Sequence, residues 1–152
     1  MKNFTNAEVE VLMACSDGAK WYHDQKTTDI PALAKAAIYG GMTTMKYANW
    51  GLVRIMSHKQ KVQYSCFAAR QVLAIFEVKH PQDKRPRLAI EAAEKWAGSP
   101  TEENRKVAYA AAYAAYADAA YAAYAAAAAA DAASDIKKKC LAFGLKLTEE
   151  NS

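Results

Sequence analysis

The sequence predicts an all-α protein, a compact bundle of about six helices with a long Ala/Tyr-rich helix near the C-terminus. Three observations carry that prediction. Residues 109–131 are almost entirely alanine, the residue of highest helix propensity, broken only by Tyr109, Tyr113, Tyr116, Asp118, Tyr121 and Tyr124 before Asp131. No stretch alternates apolar and polar residues as a half-buried strand does. Helix-capping patterns also recur just ahead of apolar runs. At 152 residues the chain is expected to form one helical domain, residues 1–152, long enough to bury a core.

Each helix has its own punctuation. Thr5 and Glu8 form a capping-box pattern that opens a first helix running to about His23. Asp29 and Pro31 start a short second helix, which Gly40 and Gly41 end. A third, from about Thr43 to Met56, carries Tyr47, Trp50, Val53 and Arg54. Ser57 and Gln60 open a fourth that runs to Lys79, with Val62, Phe67, Val72, Ile75 and Phe76 as apolar positions. Pro81 and Pro86 restrict the connection that follows, and a fifth helix spans about Pro86 to Ala97. Gly98, Ser99 and Pro100 separate it from a last helical segment reaching Phe143. Unbroken, that segment would exceed roughly 60 Å at about 1.5 Å per residue. A break is therefore expected between Asp131 and Asp135, with Gly144 as the final terminator.

The alanine helix buries little area per residue, so its tyrosines must supply most of its contact. At about 100° per residue the five tyrosines fall within an arc of roughly 140°, and Asp118 lies outside it. Tyrosines at this spacing serve either as core or as the wall of a hydroxyl-lined cavity.

The net charge of +4, from 20 basic and 16 acidic residues, permits an anionic partner without the one-sided charge of a duplex nucleic-acid binder. Cys15, Cys66 and Cys140 have no metal-ligand or disulfide spacing and point to the cytoplasm, and the aspartates of the alanine run exclude a membrane span. No nucleophile elbow, Walker loop or HExxH motif is present. His23 with Asp24, or His80 with Asp83, can serve acid–base work, but such pairs are common by chance. The expectation is a protein that is not an enzyme and holds no cofactor or metal.

Two groups of residues are candidates for ligand binding. In His80-Pro-Gln-Asp-Lys-Arg-Pro-Arg87 the cations Lys84, Arg85 and Arg87 sit at a helix N-terminus, where the dipole disfavours them. Either they form an anion site with the terminal N–H groups, or they pair with acidic side chains and lock the connection, with Asp83 as cap. On the third helix Arg54 is a permanent charge among apolar neighbours. Either Asp118 or Asp131 pairs with it, or Tyr47, Trp50 and Arg54 line a pocket that stacks a ring and takes a phosphate. Tyr109, Tyr113 and Tyr116 are the tyrosines expected to join such a pocket.

Phe76 to Trp96, FEVKHPQDKRPRLAIEAAEKW, resembles a family of bacterial and phage immunity proteins of polymorphic-toxin systems. The shared pattern is HP-x-D-x-RPR, then an AIEAA-type helix with a tryptophan, then an alanine-rich region, in matching order from about Trp50 to Asp135. This chain has Tyr where the family often carries His, which argues against metal binding. The resemblance implies an all-helical protein that neutralises its target by binding it. The expected function is a non-catalytic immunity or anti-defence protein that sequesters an anionic, nucleotide-type signal in a basic and aromatic pocket. The alternative is direct complex formation with a protein toxin across roughly 800 Å² per partner. A helical enzyme using His80 and Asp83, or a homo-oligomerising module packed through alanine faces, is a further alternative.

Overall fold

The computed structural model describes residues 4–11, 15–108, 110 and 130–149, in backbone only at 6, 7, 11 and 130–133. The protein is all-α, as predicted, and no β-strand forms among the described residues. The helices are α1 (Asn6–Val11), α2 (Ser16–His23), α3 (Ile30–Ala37), α4 (Met42–Ile55), α5 (His58–Lys79), α6 (Arg85–Gly98), α7 (helical over 102–108) and α8 (Ala130–Glu149). They gather into two compact units. One comprises Met1–Ser57 with Lys137–Ser152, the other His58–Ile136.

The first unit begins with the predicted capping box. The Thr5 N–H donates to Glu8 Oε2 at 2.7 Å, and the Glu8 N–H donates back to Thr5 Oγ1 at 3.2 Å. The helix it opens does not reach His23, contrary to expectation. It is described over Asn6–Val11, and Cys15, at φ −64° and ψ 152°, is extended ahead of α2. An extended residue cannot continue the α-helical hydrogen-bond ladder, so α1 and α2 are separate.

Pro31 lies in the first turn of α3, where its missing N–H forfeits no intrahelical bond. Gly41, at φ +91° and ψ 178°, turns the chain into α4 in a conformation reserved for glycine. Its carbonyl accepts a 2.8 Å bond from Thr44 Oγ1. The core of this unit includes Ile30, Leu33, Ala34 and Ala37 of α3 and Met45, Ala48 and Leu52 of α4, with Leu52 wholly removed from solvent. The last turns of α8 belong here too, and bury Cys140, Leu141, Leu145, Leu147 and Thr148. Lys35 Nζ pairs with Glu149 at 2.7 Å across exposed surface.

Two expectations about the end of the chain are corrected. Helix α8 runs unbroken through Ser134 and Asp135, and Gly144 does not terminate it. Gly144 is buried inside the helix, which continues to Glu149. The apolar stripe through Leu141, Leu145 and Thr148 keeps helical spacing across the glycine, and burial of that stripe outweighs glycine's unfavourable propensity of about 1 kcal/mol.

The second unit is organised by the α5–α6 hairpin. Cys66, Leu73 and Ile90 form its buried cluster, flanked by Val62, Ala69 and Ala93. Arg70 meets Glu94 and Glu77 meets Arg87, so the two helices run antiparallel. The Cys66 thiol reaches the carbonyl of Ile90 at 3.9 Å, and burial pushes its pKa up.

Candidate functional site

A cavity of about 70 Å³ opens in the first unit, lined from α1, α2, α3 and α4. Helix spacing explains its α4 wall. Tyr47, Trp50 and Gly51 lie on neighbouring turns, and the buried Ala48 beside them is too small to close the space. Trp21 of α2 faces Tyr47 with ring centroids 5.8 Å apart. Phe4 packs edge-on against Trp50 at 6.4 Å. Val9, Ile30 and Leu33 supply aliphatic wall, and Lys46 brings a cation from an exposed position. The Tyr22 ring also lines the cavity, but its hydroxyl shares its hydrogen between the carbonyls of Phe4 and Thr28. Burial raises the pKa of Tyr22. Tyr47 is raised as well, first by burial and then by the charges of Asp17 and Cys15, so both phenols are neutral near pH 7.

Of the predicted pocket residues on α4, Tyr47 and Trp50 line this cavity. Arg54 does not line it. Its guanidinium lies 3.8 Å from the centroid of the Trp50 ring, and its Nη1 donates to the Trp50 carbonyl at 3.3 Å. Stacking on an indole is the cation–π arrangement open to a side chain one turn further along the helix. The proposed partners of Arg54, the carboxylates of Asp118 and Asp131, lie outside the described residues. So do Tyr109, Tyr113, Tyr116, Tyr121 and Tyr124.

The HPQDKRPR segment belongs to the second unit, and there the structure gives the paired arrangement. Arg85 forms a bidentate pair with Asp83, at 2.9 and 2.7 Å. Asp83 Oδ1 also accepts the Arg85 backbone N–H at 3.0 Å, which serves the start of α6 as a cap would, while Lys84 occupies the N-cap position itself. These bonds hold the Asp83 carboxyl at about 2, below its ordinary value. Arg87 forms a second bidentate pair with Glu77 on the last turn of α5, at 2.7 and 2.6 Å, with Glu91 at 4.0 Å. This pairing lowers the Glu77 pKa and raises that of Arg87. Cations at a helix N-terminus are thereby compensated by carboxylates placed beside them. His80 packs its ring against Phe76 at 4.8 Å.

The sequence reading missed Trp21, Lys46 and Cys15 as members of the cavity. No periodic pattern marks them. The available signal was Gly18, a glycine inside the short helix that carries Trp21, because a missing side chain leaves room for a ring. A β-carbon there would sit 3.2 Å from the Tyr47 ring. Among the described residues no group of three His, Cys, Asp or Glu side chains converges as a metal site. No described helix is long and apolar enough to cross a membrane.

The chain belongs to the family of unknown function DUF6931, whose pattern matches residues 43–139, more than half of its length. The matched span contains Tyr47, Trp50, Arg54 and the whole HPQDKRPR segment, while Val9, Trp21 and Leu33 of the cavity lie before it. No curated protein and no solved structure matches the chain.

Proposed function

We propose that the protein is a non-catalytic neutralising factor, of immunity or anti-defence type, that sequesters an anionic, nucleotide-type ligand through the cavity of the first unit. One observation carries the reading: rings from α2 and α4 line a concave site, with Lys46 among its lining and the Arg54 guanidinium stacked on one of those rings. A flat ring stacks on aromatic faces, and cations beside them attract a phosphate or carboxylate. Neutralisation as the use of that binding is supported by the resemblance of HPQDKRPR to immunity proteins. Three free cysteines suit the cytoplasm, where such a ligand would be met.

The enzyme alternative is weakened by the state of Asp83. Its two oxygens are engaged by Arg85, and a carboxyl held at about 2 is a poor general base near neutral pH. The protein-toxin reading keeps one specific observation in its favour. Tyr39, 92 % exposed, and Met42 place apolar surface at the α3–α4 turn, where an aromatic anchor can enter a partner.

The test is a thermal-shift screen with cyclic and linear nucleotides, on the wild type beside Lys46→Ala and Trp50→Ala. A ligand that binds only the folded state raises the melting temperature by mass action. A shift present in the wild type and lost in both variants is the expected result. A nucleotide shift unchanged in both variants removes the cavity from the mechanism. No shift with any nucleotide removes the small-molecule reading and leaves the protein-toxin complex.

A further inference from the structure

We infer that this cavity takes the ring of its ligand by stacking and contact alone, so that its ligand class is an aryl or heteroaryl anion with little selection for the ring. The inference rests on the proposed sequestering role and narrows it.

Size comes first. A volume of about 70 Å³ accommodates about five to seven water-sized positions, at roughly 10–15 Å³ each. That is room for one small ring. It is not room for a ring with a sugar and a phosphate, so the remainder of a nucleotide-type ligand lies outside the cavity. Lys46 is both a lining residue and exposed, which places an ammonium where that remainder emerges.

The chemistry of the walls comes next. Val9, Ile30, Leu33 and Ala48 offer only carbon at their side chains. The backbone at Ala48 and Gly51 lies in the interior of α4, where N–H and C=O groups are spent on the helix ladder. The Tyr22 hydroxyl is engaged by Phe4 and Thr28. Reading the edge of a nucleobase requires several donors and acceptors at fixed positions. The lining residues do carry polar groups, the Tyr47 hydroxyl, the Cys15 thiol, two indole N–H groups and the Lys46 ammonium, but the surface they present to the cavity is almost entirely carbon. A wall of this kind distinguishes one flat ring from another by few hydrogen bonds, and stacking is open to any of them. Ring identity is therefore read weakly, whereas the presence of a ring and of an anion is read strongly.

The experiment is calorimetric titration of the full chain with phenyl phosphate, adenosine monophosphate, uridine monophosphate and ribose 5-phosphate under one set of conditions. Phenyl phosphate is expected to bind at least as tightly as either nucleotide. The two nucleotides should fall within tenfold of each other, and ribose 5-phosphate should be at least tenfold weaker. Lys46→Ala, a substitution at an exposed position whose fold is checked by circular dichroism, should weaken phenyl phosphate by about tenfold. Tyr47→Phe should leave it within threefold. A preference of a hundredfold for one base overturns the inference while leaving sequestration standing, as does ribose 5-phosphate binding as well as phenyl phosphate. Failure of all four probes, with the wild type folded, overturns the inference together with the proposed role.

Discussion

Gly51→Ala should make the protein more stable and a poorer binder at once. Gly51 is buried in the interior of α4 and packs against Ile30 of α3. Replacing glycine by alanine in a helix interior gains about 1 kcal/mol of propensity. The new β-carbon would sit 3.4 Å from Ile30 Cδ1 and 3.5 Å from Cγ2, ordinary contact that needs little movement. A well-packed buried methyl adds up to about 0.8 kcal/mol, part of which the fit to Ile30 absorbs. The net expectation is about 1 kcal/mol, or about 2–4 °C in melting temperature for a chain of this size. The same methyl projects from a residue that lines the cavity, so ring-bearing ligands should bind roughly tenfold more weakly. Stability is read by thermal and guanidinium denaturation, and affinity by titration with phenyl phosphate. A lower melting temperature would show that Ile30 cannot yield the space the methyl needs, and would refute the stability gain. A higher one with unchanged affinity would refute the assignment of the cavity as the ligand site. Gly41→Ala is the control, because a positive φ of 91° penalises any side chain by about 1–3 kcal/mol and should lower the melting temperature.

Other outcomes follow from the same structure. Leu52→Ala, at a fully buried position, should destabilise by about 3 kcal/mol in denaturant titrations, and a loss below 1 kcal/mol would contradict its place in the core. Asp83, held at about 2 against an ordinary 3.8, and Glu77, lowered by Arg87, bind fewer protons folded than unfolded. A depressed folded pKa contributes stability in full above the unfolded value and loses it as pH falls through the folded one. Melting temperature should therefore hold from pH 7 to 5 and fall between about pH 4 and 2, with a smaller fall in Asp83→Asn; equal falls in both proteins would count against the pairing. A maleimide should label Cys15 quickly in the native protein, whereas Cys66 and Cys140 are buried, with thiols pushed up by burial. Rapid labelling of two or three thiols by mass spectrometry would show that those cores open.

The helices were legible where local chemistry decides them. Thr5 with Glu8, Pro31 after Asp29, Gly41 before Met42 and the Pro81–Pro86 connection each mark a boundary that the structure keeps within a few residues. Legibility failed where packing overrides local preference. Gly144 reads as a terminator, but the stripe through Leu141, Leu145 and Thr148 carries α8 past it. Ser134 and Asp135 read as a cap, but a capping residue acts only where the helix already ends. The α4 part of the candidate site was visible because Tyr47 and Trp50 share helical spacing, whereas Arg54, read with them, stacks on Trp50 and does not line the cavity. The remainder was not visible, because Val9, Trp21 and Leu33 reach the cavity from three other helices and no one-dimensional period links them. The arginines of HPQDKRPR left two readings open, and the carboxylate that decides between them for Arg87, Glu77, lies ten residues earlier on another helix.

The α5–α6 hairpin carries its alignment in its charges. On α5 the order along the chain is Arg70 then Glu77, and on α6 it is Arg87 then Glu94, so antiparallel packing brings each cation opposite a carboxylate. Sliding one helix by about two turns in one direction would set Arg70 against Arg87, and in the other Glu77 against Glu94. Like charges brought together repel, so both misaligned hairpins are disfavoured before the core has closed. The four residues thus act as a key for register during folding, and the key is reversible. Exchanging sign in both pairs together should preserve the alignment that reversing one pair member would spoil.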